Sequence, residues 1–204
     1  MVSEAWTFIR SREKCNLVLV IINIAVFLVL SILGNTENAV FMLRYGACYT
    51  PAVQQGEYYR LFTAMFLHFG FIHLVYNMIC LLAIGDLLEK SIGHILYLLV
   101  YLGGGLAGNL LSVAVDLKTG YYTVSAGASG AAFAVIGALF GIMLQRRNKI
   151  PRQMLGRMGM MTALMLLQGF TQAGTDNAAH VGGALFGLAS GLIIAEIKTR
   201  RIQS

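Results

Sequence analysis

Leu17–Leu30 reads LVLVIINIAVFLVL, an unbroken apolar stretch in which Asn23 is the one polar side chain. It lies inside a run of 22 uncharged residues between Lys14 and Glu37. Five more such runs follow: 25 residues between Arg60 and Asp86, 25 between Lys90 and Asp116, 27 between Lys118 and Arg146, 18 between Arg157 and Asp176, and 19 between Asp176 and Glu196. A helix that crosses a bilayer needs about 20 mostly apolar residues. In hydrocarbon every backbone N–H and C=O must be paired within the protein, which favours helices. The period-two alternation of a membrane β-barrel is missing. The expected fold is therefore all-α, a bundle of six transmembrane helices spanning approximately 16–34, 70–89, 93–115, 126–145, 155–172 and 177–196. A single membrane domain covers 1–204. The first run follows Arg10, Arg12 and Lys14 as a signal peptide would, but it is long and SILGNTEN lacks a small-x-small cleavage site, so it reads as a retained span.

Composition agrees. Of 204 residues, 57% are hydrophobic and 12% charged, about half the charged share of a soluble domain. Such a chain is neither disordered nor able to coat a soluble globule. Three cysteines, at 15, 48 and 80, form neither a disulfide framework nor a CxxC metal motif.

The net charge of +6 has a topological meaning. With both termini cytoplasmic, twelve of the 15 Lys and Arg residues fall on inside segments and only Arg44, Arg60 and Lys118 outside. The basic excess meets the lipid bilayer and gives no reason to invoke nucleic acid. The long first outside loop, about Asn35 to Phe71, carries the amphipathic stretch EYYRLFTAMFLHFGFIH and is expected to lie partly in the interface. Small-residue faces at Gly137 and Gly141, and at Gly183, Gly187 and Gly191, predict close contact between the fourth and sixth spans.

On this topology several polar residues share one depth near the outer face. His73 and Asn77 form H-x3-N, one turn apart on one face of span two. Ser129 opens span four within Gly127-Ala128-Ser129-Gly130, and His180 opens span six. His94, beside Lys90, reads as an interfacial side chain. A serine hydroxyl becomes a nucleophile when a base takes its proton, and neutral imidazole is the natural base. The unpaired N–H groups of a helix start suit a developing negative charge, to which His73 and Asn77 can add side-chain donors. Asp176 lies one turn before His180, expected at the surface, so a Ser–His dyad without a buried acid is expected.

These residues resemble the rhomboid family of intramembrane serine proteases. The resemblance rests on Tyr59-Arg60, FLHFGFIHLVYNM (66–78), GASG (127–130) and AHVGGALFG (179–187), and it runs from about Asn16 to Glu196. It implies the six-helix rhomboid core, Ser129 as nucleophile and His180 as base. It also implies His73 and Asn77 as the oxyanion pair and Gly127 as the first glycine of the motif. Phe133 matches an aromatic that packs on the catalytic histidine, where many relatives carry Tyr. Arg60 matches the Arg of a W-R pair whose Trp is Tyr59 here, and His68 matches a structural histidine. The implied substrates are single-span membrane proteins cut in or near the membrane segment, with neither metal nor organic cofactor. The implied location is the bacterial plasma membrane, with the site opening outward. A catalytically silent relative that binds membrane clients is the nearest alternative, and a small transporter is more distant. HExxH and a mid-membrane aspartate pair are both absent, which argues against zinc and aspartyl proteases.

Overall fold

The structure, a computed structural model, describes residues 13–145, 153, 156–163 and 175–203. The expected fifth span, 155–172, lies outside the described residues except for a helical stretch at 156–163. The turn at 148–151, most of the turn at 171–176, and the topology-setting cations Arg10, Arg12, Arg146, Arg147, Lys149 and Arg152 also lie outside them.

The order of elements is α1 (Lys14–Leu33), α2 (Ala39–Arg44), α3 (Thr50–Gln54), α4 (Arg60–Thr63) with a 3-10 turn at Ala64–Phe66, α5 (Gly70–Ile92), α6 (His94–Thr119), α7 (Ser129–Gln145) and α8 (Asn177–Gln203). Helices α1, α5, α6 and α8 are each long and apolar enough to cross a membrane, while α7 is apolar but has 17 residues.

Helix α1 shows which solvent the chain is built for. Its buried positions, Asn16, Leu19, Val20, Asn23, Phe27 and Leu30, recur every three or four residues and so form one helix face. The outward face carries Val18, Ile21, Leu28, Val29 and Ile32, the last 85% exposed. Polar atoms point inward and branched hydrocarbon points outward, the reverse of a soluble helix. Ile95, Phe71, Ile72, Leu185 and Ile193 continue the exposed apolar belt on the other helices.

The inward polar side chains of α1 are hydrogen-bonded, as burial demands, with Asn23 Oδ1 alone on this face lacking a partner among the described residues. The carboxylate of Glu89 accepts the N–H groups of Cys15 and Asn16 at 2.9 and 2.7 Å, capping the start of α1, and also contacts His94 Nδ1. Glu89 Oε1, His94 Nδ1 and Cys15 Sγ are neighbours. Both carboxylate oxygens are already taken by α1 backbone donors, so the arrangement acts as a helix cap. Asn16 Nδ2 donates to Leu81 O at 2.9 Å, where α5 widens into a π turn over Leu81–Gly85, and Tyr97 OH donates to Asn16 Oδ1 at 2.6 Å. An inserted side chain is a recognised cause of such a break in the helical ladder.

Helices α7 and α8 pack backbone to backbone. A methyl group on Gly183, Gly187 or Gly191 would collide with the carbonyl oxygens of Gly130, Ala134 and Ala138, and one on Gly137 with Ala184 O. The i, i+4 rows of the two helices therefore interlock with no side chain between them. On the other side, Gly108 of α6 faces Ala179 O and Gly182 of α8 faces Ala107 O.

The 34–69 connection is folded. Arg60, 7% exposed, donates to Leu43 O at 2.6 Å and Ala47 O at 3.1 Å, and its Nε donates to Glu57 Oε2 at 2.7 Å. Its guanidinium lies over the Tyr59 ring, 5.3 Å from the centroid. The hydrogen bonds from Tyr59 and Arg60 hold the Glu57 carboxyl below its ordinary pKa. Thr63 Oγ1 donates to Gly46 O, Thr50 Oγ1 to Asp116 Oδ2 and Asn109 Nδ2 to Leu61 O. Arg60 is thus a staple that closes the loop, and the loop in turn is tied to α6.

Gly187→Val should lower the melting temperature in detergent by about 5 °C or more, from the usual cost of overpacking. Gly159→Ala, where a methyl meets open space, should leave it unchanged or slightly raised. Equal melting curves for Gly187→Val and wild type would show that the two backbones are not in contact.

Candidate active site

The approach to Ser129 is fixed by backbone hydrogen bonds before any side chain acts. Cys48 and Ser125 form an isolated antiparallel bridge, N–H to O in both directions at 2.8 and 2.9 Å. Two residues on, Gly127 N–H donates to Ala64 O at 2.9 Å. The Ala128 N–H donates to His68 Nε2 at 3.4 Å. The 34–69 loop thus holds the segment that leads into α7 at Ser125, Gly127 and Ala128. His68 is buried, and that burial, with the His73 ring beside it, pushes its imidazole well below the ordinary pKa. A neutral imidazole with Nε2 unprotonated is the form that can accept the Ala128 N–H.

Gly127 has φ +143, and a methyl there would come within 2.8 Å of His73 Cε1 and Nε2. Only glycine accepts both that backbone and that neighbour. Ser129, half-buried, then starts α7.

Helix α8 brings His180 to it. His180 Nε2 lies 2.9 Å from Ser129 Oγ across 51 residues of sequence. The imidazole stacks on Phe133, one turn after Ser129, with centroids 4.6 Å apart and planes at 27°. His180 is 8% exposed, and its Nδ1 is buried without a hydrogen-bond partner among the described residues. Asp176 is half-buried and does not reach that nitrogen. Its Oδ1 accepts the Ala179 N–H at 2.8 Å and its Oδ2 accepts Ser112 Oγ at 2.5 Å.

The third element is α5. His73 lies edge-on to His68, ring centroids 5.3 Å apart, and close against Gly127. Asn77 is fully buried; its Nδ2 donates to His73 O at 2.8 Å and its Oδ1 has no partner among the described residues. His73 Nδ1 is likewise buried and unpartnered. Buried polar atoms without a partner among the described residues, on His73, Asn77 and His180, are of the kind that water or a polar substrate group completes.

Of the expected residues, Ser129, His180, Phe133, Gly127 and His73 come together. Asn77 lies one turn deeper on α5, while His68 and Arg60 act on the loop that carries Ala128 and Ala64. Ser112 and the capping role of Asp176 were not anticipated. Asp176 before Asn177-Ala178-Ala179 is a readable N-cap, whereas a lone serine on a glycine-rich helix gives no signal.

The arrangement is that of a helical integral membrane protein with a serine–histidine pair held between two close-packed helices. Residues 55–197 match the Rhomboid domain family. Rhomboid protease GluP of Bacillus subtilis is 31% identical over 185 residues, 91% of this chain and 36% of that protein. RHOMBOID-like protein 5 of Arabidopsis thaliana is 36% identical over 155 residues, 74% of this chain and 48% of that protein. Rhomboid protease AarA of Providencia stuartii is 31% identical over 196 residues, covering 84% of this chain and 69% of that protein. The chain therefore belongs to the rhomboid family, while spanning between about a third and a half of the length of the first two relatives.

Gly127→Ala should slow labelling of Ser129 by a fluorophosphonate reagent by about tenfold or more, because the methyl displaces His73 or the turn and a small misplacement is costly at a reacting centre. A labelling rate equal to wild type would show that the turn tolerates a side chain.

Proposed function

We propose that the protein is an intramembrane serine endopeptidase with a Ser129–His180 dyad. The observation that carries this reading is the 2.9 Å separation between Ser129 Oγ and His180 Nε2. It is supported by family membership and by the unmatched donors and acceptors beside the pair.

The chemistry follows from the geometry. Ser129 Oγ attacks the scissile carbonyl carbon while its proton passes to His180 Nε2. The carbonyl oxygen becomes an oxyanion beside the start of α7, where the Ser129 N–H and the side chains of His73 and Asn77 can donate, and Gly127 leaves room for it. The tetrahedral species collapses, the C–N bond breaks, and the departing amine takes the proton from His180. Water, with its proton passing to His180, then hydrolyses the Ser129 ester. Phe133 holds the imidazole face, while His68 and Arg60 hold the loop beneath. Substrates are single-span membrane proteins cut in or near the membrane segment. A helical peptide bond is shielded and hydrogen-bonded, so the segment must extend before attack. The chain is read as one six-span domain with both termini cytoplasmic, in a bacterial plasma membrane, with the site opening to the outer face.

The test is cleavage in liposomes of a single-span protein with a small residue and a helix breaker near its outer end. Wild type should cut; Ser129→Ala and His180→Ala should not, with unchanged melting temperatures. Asn77→Ala should retain activity reduced by about 10²-fold, the usual cost of one oxyanion donor. Equal cleavage by wild type and Ser129→Ala would end the proposal. Binding of the substrate by folded wild type with no cleavage would transfer the protein to the client-binding class.

A further inference from the structure

In a serine–histidine–aspartate triad the acid binds the histidine at Nδ1 and fixes the plane of the ring. Here His180 Nδ1 has no such partner among the described residues, although a carboxylate stands one turn away. That carboxylate is engaged elsewhere. Asp176 is the N-cap of α8, with its Oδ1 on the N–H three residues on and its backbone carbonyl accepting the His180 N–H at 3.2 Å. Its second oxygen takes the Ser112 hydroxyl of α6, itself 5% exposed. The same first turn of α8 is gripped from two more directions. Ala179 O lies where a methyl on Gly108 of α6 would approach to 2.6 Å, and 3.4 Å from where one on Gly130 of α7 would sit. His180 is the next residue.

We propose that Asp176 and Ser112 are positioning residues for His180. The acid that a triad would place on the imidazole is used instead on the backbone that carries it. The Ser112–Asp176 latch fixes the rotation and height of the first turn of α8 against α6, and the Phe133 ring fixes the tilt of the imidazole, so that Nε2 meets Ser129 Oγ without a bond at Nδ1. This rests on the proposed Ser129–His180 chemistry. It adds to that chemistry a source of ring orientation in a different helix.

The experiment compares wild type, Asp176→Ala, Asp176→Asn and Ser112→Ala in liposomes. It uses a fluorogenic single-span substrate, fluorophosphonate labelling per folded molecule and melting curves. Asp176→Ala should lose about 10- to 100-fold in kcat and in labelling rate, the range expected of a misplaced reacting group, with KM unchanged. Asparagine caps helices as well as aspartate and can donate its amide to Ser112, so Asp176→Asn should recover to within about threefold of wild type. Ser112→Ala, the milder variant and the safeguard should Asp176→Ala fold poorly, should also fall in kcat at constant KM. Wild-type kcat in Asp176→Ala and Ser112→Ala would overturn the latch. So would an equal loss in Asp176→Asn and Asp176→Ala, since that would assign the effect to charge rather than position. An inactive, unlabelled wild type would overturn the Ser129–His180 reading itself, a result distinguishable from failure of the latch alone.

Discussion

The contact between the α7 and α8 backbones is the constraint on which the site depends. Ser129 starts one of these helices and His180 lies in the first turn of the other. The 2.9 Å between Ser129 Oγ and His180 Nε2 is set by how closely two helix axes can approach. With glycine at 183, 187 and 191 facing carbonyls at 130, 134 and 138, the approach is as close as backbones permit. Within hydrocarbon, association cannot be driven by expelling water, so dispersion contacts of this kind have to supply it. The requirements of assembling the bundle and of aligning the two side chains are met by the same glycines.

Around that pair the loop between α1 and α5 serves as a foundation. Arg60 ties its turns to Leu43 and Ala47, and the loop supplies Ala64 O, His68 and the Cys48 bridge to the segment entering α7. A polar scaffold outside the helices thus sets the backbone leading into Ser129, and an apolar packing surface inside them sets the position of His180. Phe133 joins the two, since it belongs to α7 and lies on the imidazole of α8.

Much of this is legible in the chain. Four of the charge-free runs form the bodies of helices long enough to cross a membrane, because absence of charge over about 20 residues is a strong signal. His73, Ser129 and His180 draw notice because polar residues at matched depth in apolar runs are costly. What escapes the sequence is pairing at a distance. The Glu89 carboxylate caps a helix that starts 75 residues earlier, and Asn16 opens a π turn in α5. Nothing local to these residues names their partners. Tyr59 in place of Trp is a similar case. Its role is visible only once the guanidinium is seen over its ring and its hydroxyl on Glu57. Asp176 reads as an acid near a histidine and as a helix N-cap, and only the fold shows its second carboxylate oxygen taken by Ser112.

The separation of 51 positions between Ser129 and His180 has a consequence for the birth of the protein. A ribosome delivers α7 to the membrane well before α8, and during that interval Ser129 lacks the imidazole that later lies beside it. On the proposed reading, the nascent protein therefore passes through the insertion machinery, among many other freshly inserted helices, in an unarmed state. The proposed dyad would be armed by the docking of α8 into the glycine seam. Reactivity of the proposed dyad is thereby tied to the packing of α8 on α7.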